Sequence, residues 1–108
     1  MTVEEARDIY LTIRSSEHDS LVDEMIRCAV RYAQLRVEWE LSSIEERIEM
    51  DPTRSRAHDA FIDACNILSR NMSSAGEDNS WRETIGSDRK SIGDFACMLH
   101  YFLGIKAR

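Results

Sequence analysis

Residues 21–41 constrain what this chain can fold into more than any other stretch. At about 100° per residue, Leu21, Met25, Cys28, Tyr32, Leu35 and Trp39 fall on one helical stripe, and Val22, Ile26, Ala29, Ala33 and Val37 fall on the next. Together they cover more than half the circumference. A helix so broadly apolar is not satisfied by one neighbour, which predicts either the central element of a bundle or a helix shared with a subunit interface. Four Gly and one Pro among 108 residues point the same way, because sheets need frequent turn chemistry. The expected fold is all-α: a small antiparallel bundle of about four main helices plus short helical turns, forming one domain over residues 1–108.

The flanking segments supply the other helices. Thr2 and Glu5 read as a capping box, and Val3, Ala6, Ile9, Tyr10 and Ile13 continue it as a first helix of three turns. Asp19 or Ser20 caps the long helix after a polar turn at 15–19, and Ser42 or Ser43, each three residues before a glutamate, restarts a short helix near its end. Asp51 followed by Pro52 reads as the start of a third helix over 52–73 that buries Ala57, Ala60, Phe61, Ala64, Ile67, Leu68 and Met72. Residues 73–80 form a loop. Ser80 and Glu83 then suggest a capped turn around Trp81, closed by Gly86, and Ser87 or Ser91 opens a last helix with Ile92, Phe95, Ala96, Leu99, Phe102 and Leu103 inward, ending at Gly104.

Charge excludes some functions. The formal charge is −6, with 12 acids against 6 bases in residues 1–50 and 8 of each in residues 51–108. Phosphate backbones attract clustered Lys and Arg, so nucleic acid is not an expected partner; Arg54, Arg56 and Arg70 on the third helix share it with Asp59 and Asp63. Three cysteines and no apolar leader after Met1 point to reduced thiols in the cytoplasm. The apolar run at 95–105, broken by His100, is too short to span a bilayer, so no membrane role is expected.

Several residues invite chemical readings. The stretch EERIE, residues 45–49, has the form EExxE and resembles the first metal-binding motif of the all-α nucleoside triphosphate pyrophosphohydrolases of the MazG and dimeric dUTPase type. The resemblance covers five residues and implies a divalent-metal-dependent phosphohydrolase, with Glu45, Glu46 and Glu49 as ligands on one helix and acids from the next helix opposite. The family's second motif, ExxD, is absent; Asp59 and Asp63, four apart, are the nearest acids. On the residues alone, Leu41, Ile44 and Ile48 share a stripe, and the glutamates lie beside or opposite it, facing solvent.

Arg36 and Glu40 stand inside the apolar arc of the long helix, so each needs a partner: the other at i,i+4, another helix, or a subunit interface. Gly93, Cys97, His100 and Gly104 form a small-residue stripe on the last helix that allows close helix approach, and with Trp39 they are interface candidates. Arg89, Lys90 and Ser91 lie at a helix start, where free backbone donors favour anions. Cys28, Cys65, Cys97 and His58 lack metal-site spacing, and no cofactor is expected. The favoured reading is a small non-catalytic helical protein that acts through a protein partner or self-association. The phosphohydrolase and a small-anion binder are the alternatives.

Overall fold

The computed structural model describes residues 1–106, side chains at 105 and 106 excepted, so Ile105 at the end of the apolar run lies outside the described side chains. Among the described residues there are five helices and no strand: α1 (Val3–Arg14), α2 (Asp19–Glu40), α3 (Ile44–Ser74), the short α4 (Trp81–Ile85) and α5 (Arg89–Lys106). This is an all-α bundle of four main helices and one short piece. The helix α2 runs against the other three. Tyr32 meets His58 and Phe61 of α3 while Trp39 meets Arg47 and Arg54, so these two form an antiparallel hairpin. Arg36 meets Asp94 of α5, and Ala33 shares a cleft with His100 one turn along, which sets α5 antiparallel to α2. Tyr10 of α1 packs edge-on against Phe102, with ring centroids 5.6 Å apart.

The core draws on every helix. Ala6, Ile9, Tyr10 and Ile13 come from α1, Val22, Met25, Ala29 and Tyr32 from α2, Phe61, Ala64, Cys65, Leu68 and Met72 from α3, Trp81 and Ile85 from α4, and Ile92, Phe95, Ala96 and Leu99 from α5. The inward positions of α3 alternate by three and four, which keeps one seam against α2. That seam leaves Ala60 exposed and Ile67 on the outer side, where the sequence placed both inside; His58 and Ser69 are buried instead.

Several starts differ from expectation. Helix α3 begins at Ile44, not at Pro52: the Ser43 hydroxyl accepts from the Glu46 N–H (3.2 Å) while the Glu46 carboxylate accepts from the Ser43 N–H (2.9 Å). Two start signals compete there, and the earlier one prevails because the turns that follow it pack on α2. Pro52 lies inside the helix, removing one bond to the carbonyl of Ile48 on a solvent-facing turn. His18, not Asp19 or Ser20, occupies the N-cap of α2 without a side-chain cap bond. At Ser80 no capping box forms; the Asp78 carboxylate accepts from the Ser80 N–H and hydroxyl instead. Asp88 caps α5 by accepting from the Ser91 N–H, and α5 continues past Gly104.

Helix α3 ends at Ser74, one residue past the expected 73. Gly76, at φ +74°, closes it in a paired motif in which the Glu77 N–H reaches the Met72 carbonyl (2.9 Å) and the Gly76 N–H reaches that of Ser73. The turn delivers Glu77 to His18 Nε2 at 2.6 Å, tying the start of α2 to the end of α3. From there the chain descends along α3: Asn79 Nδ2 donates to Ser69 Oγ, Arg82 Nε to Asn66 Oδ1 (2.7 Å) and Arg89 to Ser55 Oγ. Helix α5 therefore starts near Ser55, with Asp94 five residues on reaching Arg36, and the first turns of α3 run on beyond it.

Candidate functional site

Arg36 is the polar residue of α2 that the fold explains. Its guanidinium donates to Asp94 Oδ1 at 3.0 Å on α5 and lies 3.9 Å from Cys97 Sγ. Partial burial works to lower its pKa, yet the bond to Asp94 and the nearness of Cys97 leave it raised. Gly93 makes room for this: a Cβ there would stand 2.8 Å from Arg36 Nη1. Gly93 is thus filled from within the chain. Cys97 is half-buried beside it, whereas Gly104 meets nothing and His100 is exposed. Glu40 does not join Arg36; its side chain is exposed, and only its carbonyl is engaged, by Arg47.

The five acids of the metal reading lie on one helix. Glu45, Glu46, Glu49, Asp59 and Asp63 all belong to α3, because no break occurs at Pro52. At 1.5 Å rise per residue, Glu45 and Asp63 are about 27 Å apart along the axis. A two-helix cradle needs a second helix opposite the first, and α3 supplies both sets of acids from one rod. Glu46 is engaged in the cap of its own helix, and bonding to Ser43 holds its pKa below the usual carboxylate value. Asp59 sits 3.2 Å from His58 Nδ1. Among the described residues, no three His, Cys, Asp or Glu side chains are grouped to hold a metal ion.

Arg89, Lys90 and Ser91 do not converge either. Arg89 reaches Ser55 at 3.4 Å, Lys90 lies 3.9 Å from Asp94, and the Ser91 N–H is taken by Asp88. The Asp88 carboxylate, its pKa lowered by bonding to Ser91, puts the chain's own negative charge where an anion would bind. Cys28, Cys65 and Cys97 are free thiols.

The sequence reading missed the surface that is most unusual. Where α2 and α3 overhang α5, Val37 is 56% exposed, Leu41 83%, Ile44 73% and Ile48 70%. No residue from 37 to 54 enters the core cluster. The two arms of this overhang are nonetheless held firmly together. Trp39 is flanked by the guanidinium groups of Arg54, 4.2 Å from the ring centroid, and Arg47, at 5.5 Å. Arg47 also donates to the carbonyls of Trp39 (2.8 Å) and Glu40, groups that a helix C-terminus leaves without partners. Ser42 bridges the turn to Met50 at 3.4 Å. The stripe of Leu41, Ile44 and Ile48 was visible in the sequence; that it stands exposed among the described residues was not.

Ile48 precedes Ser55 by seven residues and Ile44 by eleven, close to two and three turns, so both lie on the side of α3 that carries Ser55, the residue Arg89 reaches. Val37 and Leu41 continue the line of Ala33 on α2, and Val37 joins Ala33, Glu38 and His100 in lining a shallow cleft. These four side chains thus lie toward the outer end of the hairpin, outside the core cluster. No helix among the described residues is long and apolar enough to cross a membrane. The chain matches no family model, no curated protein and no solved structure.

Proposed function

We propose that this chain is a non-catalytic helical interaction protein that docks through the outer end of its α2–α3 hairpin. One observation carries the reading: four large aliphatic side chains, Val37, Leu41, Ile44 and Ile48, stand exposed within one short stretch of a hairpin whose inner face is tightly braced. Each would contribute about 1.5–3 kcal/mol if buried, a gain the isolated chain forgoes. Apolar patches of this kind mark protein contact sites. Of the interface candidates, Trp39 and Gly93 are engaged within the chain, whereas His100 borders the face through the cleft it shares with Val37. Free thiols on α2, α3 and α5 fit a reducing compartment such as the cytoplasm.

The test compares the chain with an Ile44→Ser/Ile48→Ser variant, whose substitutions lie outside the core and leave the circular dichroism spectrum intact. Affinity capture from native extract, with light scattering across concentrations, is expected to give a protein partner or a second copy bound to the natural chain and lost from the variant. Identical partners and identical mass for both would overturn the reading.

A further inference from the structure

We infer that the occupant of this face is a positively charged amphipathic helix of a partner protein rather than a second copy of this chain, an inference that rests on the docking reading above. Shape comes first. The hairpin already holds a helix, since α5 packs on α2 through Arg36 and Asp94 and meets α3 at Phe61 and Ser55. Beyond it Val37 and Leu41 on α2, and Ile44 and Ile48 on α3, stand exposed at the one-turn spacing at which helix side chains meet a partner helix.

Charge selects the partner. Residues 37–51 hold six of the chain's 20 acids and one of its 14 bases. That base, Arg47, is spent on Trp39 and on the carbonyls of Trp39 and Glu40. Glu46 is engaged in the cap of α3. Glu38, Glu40, Glu45, Glu49 and Asp51 remain; all five are exposed, and no ion pair or side-chain hydrogen bond engages any of them among the described residues, and by helical position all but Glu49, which lies farther round α3, border the apolar stripe. A second copy docking face to face would bring the same carboxylates against these, and like charges across an interface are costly. The rest of the chain, 14 acids and 13 bases, has no net surplus of cations to offer them. The same rim repels anionic lipid and nucleic-acid phosphate. A helix with Leu or Ile on one side and Lys or Arg flanking it satisfies both halves of the face.

Magnitudes divide the roles. Each exposed ion pair adds only about 0.2–1 kcal/mol, so the aliphatic contacts carry the affinity while the carboxylates decide the sign of the partner and speed its approach.

The experiment titrates two synthetic helical peptides that share one Leu/Ile stripe and carry either Lys or Glu on the polar side, read by fluorescence anisotropy. The Lys peptide is expected to bind the natural chain at least about tenfold more tightly than the Glu peptide. Raising salt from about 50 to about 300 mM weakens it severalfold, through screening. Ile44→Ser/Ile48→Ser and, separately, Glu38→Gln/Glu40→Gln/Glu45→Gln/Asp51→Asn each weaken it about tenfold or more, without change in the helical spectrum. Equal binding of the two peptides, lost on Ile44→Ser/Ile48→Ser, would overturn the charge inference and leave the docking reading standing. So would a dimer of the natural chain that this variant abolishes. Lys-peptide binding indifferent to the Ile substitutions, or no binding by either peptide, would overturn the inference outright; the capture comparison above then decides the docking reading separately.

Discussion

Cys65 shows how far one residue's chemistry depends on its surroundings. In the sequence it is one of three cysteines spread over three helices; in the fold its thiol is wholly buried on the inner seam of α3, and burial pushes its pKa from 9.0 up to about 12. The sign follows from linkage. Below about pH 9 the thiol is protonated in both folded and unfolded chains, and its full contribution is present. As pH rises toward 12 the unfolded chain ionises first, so stability is lost across that window. Melting temperature is expected to fall on this account between pH 9 and 12, and Cys65→Ala, less stable at neutral pH because it opens a small cavity, is expected to flatten that part of the profile. Arg36 teaches the complementary lesson. A charge within an apolar arc required a partner on sequence grounds alone, yet the sequence favoured no one residue, and the answer, Asp94, is 58 positions away with Gly93 clearing the space. Glu40, flagged by the same wheel, is simply exposed, because α2 has run beyond α5 by that point.

At the scale of elements, local signals named helices well and their boundaries poorly. Ser43 with Glu46 was readable as a start, and so were Asp51 with Pro52; nothing local says that the first wins. What decides it is the docking of the first turns of α3 on α2 around Trp39, a contact between residues that only the hairpin brings together. Pro52 is therefore a fault inside a helix rather than its beginning. Pro52→Ala restores the missing bond to Ile48 and removes the ring clash, and is expected to stabilise the chain by up to about 3 kcal/mol in urea unfolding, less whatever rigidity the proline confers on the unfolded chain. A destabilised Pro52→Ala protein would show that the proline belongs to a start signal after all. The motif at Gly76 was also within reach of the sequence, as a glycine just past an apolar period, but the loop reading passed over it.

At the scale of the molecule, one number organises the rest. The longest dimension is 47 Å, the length of a single 31-residue helix at 1.5 Å per residue, so α3 sets the length and the other helices fill only part of it. Its first thirteen residues, 44–56, and the last turn of α2 add nothing to the core cluster. Local stability should follow burial. In native-state hydrogen exchange, amides at 61–72 are expected to be protected most, near the global unfolding limit, and those at 44–52 markedly less, with protection at 44–52 rising when the cationic peptide binds. Uniform protection along α3 would mean that the overhang is stabilised by something other than the contacts described.

The sequence by itself determined that the chain is helical, that residues 21–41 need several neighbours, and that Leu41, Ile44 and Ile48 align, because periodicity depends only on helix geometry. Tertiary structure alone decided which neighbours came and where they stopped. Helix α5 begins at Arg89, level with Ser55, and that single offset buries Ala33 while leaving Val37 and the stripe beyond it in water. Offsets between helices arise from connections and core packing across the whole chain, which no one segment encodes.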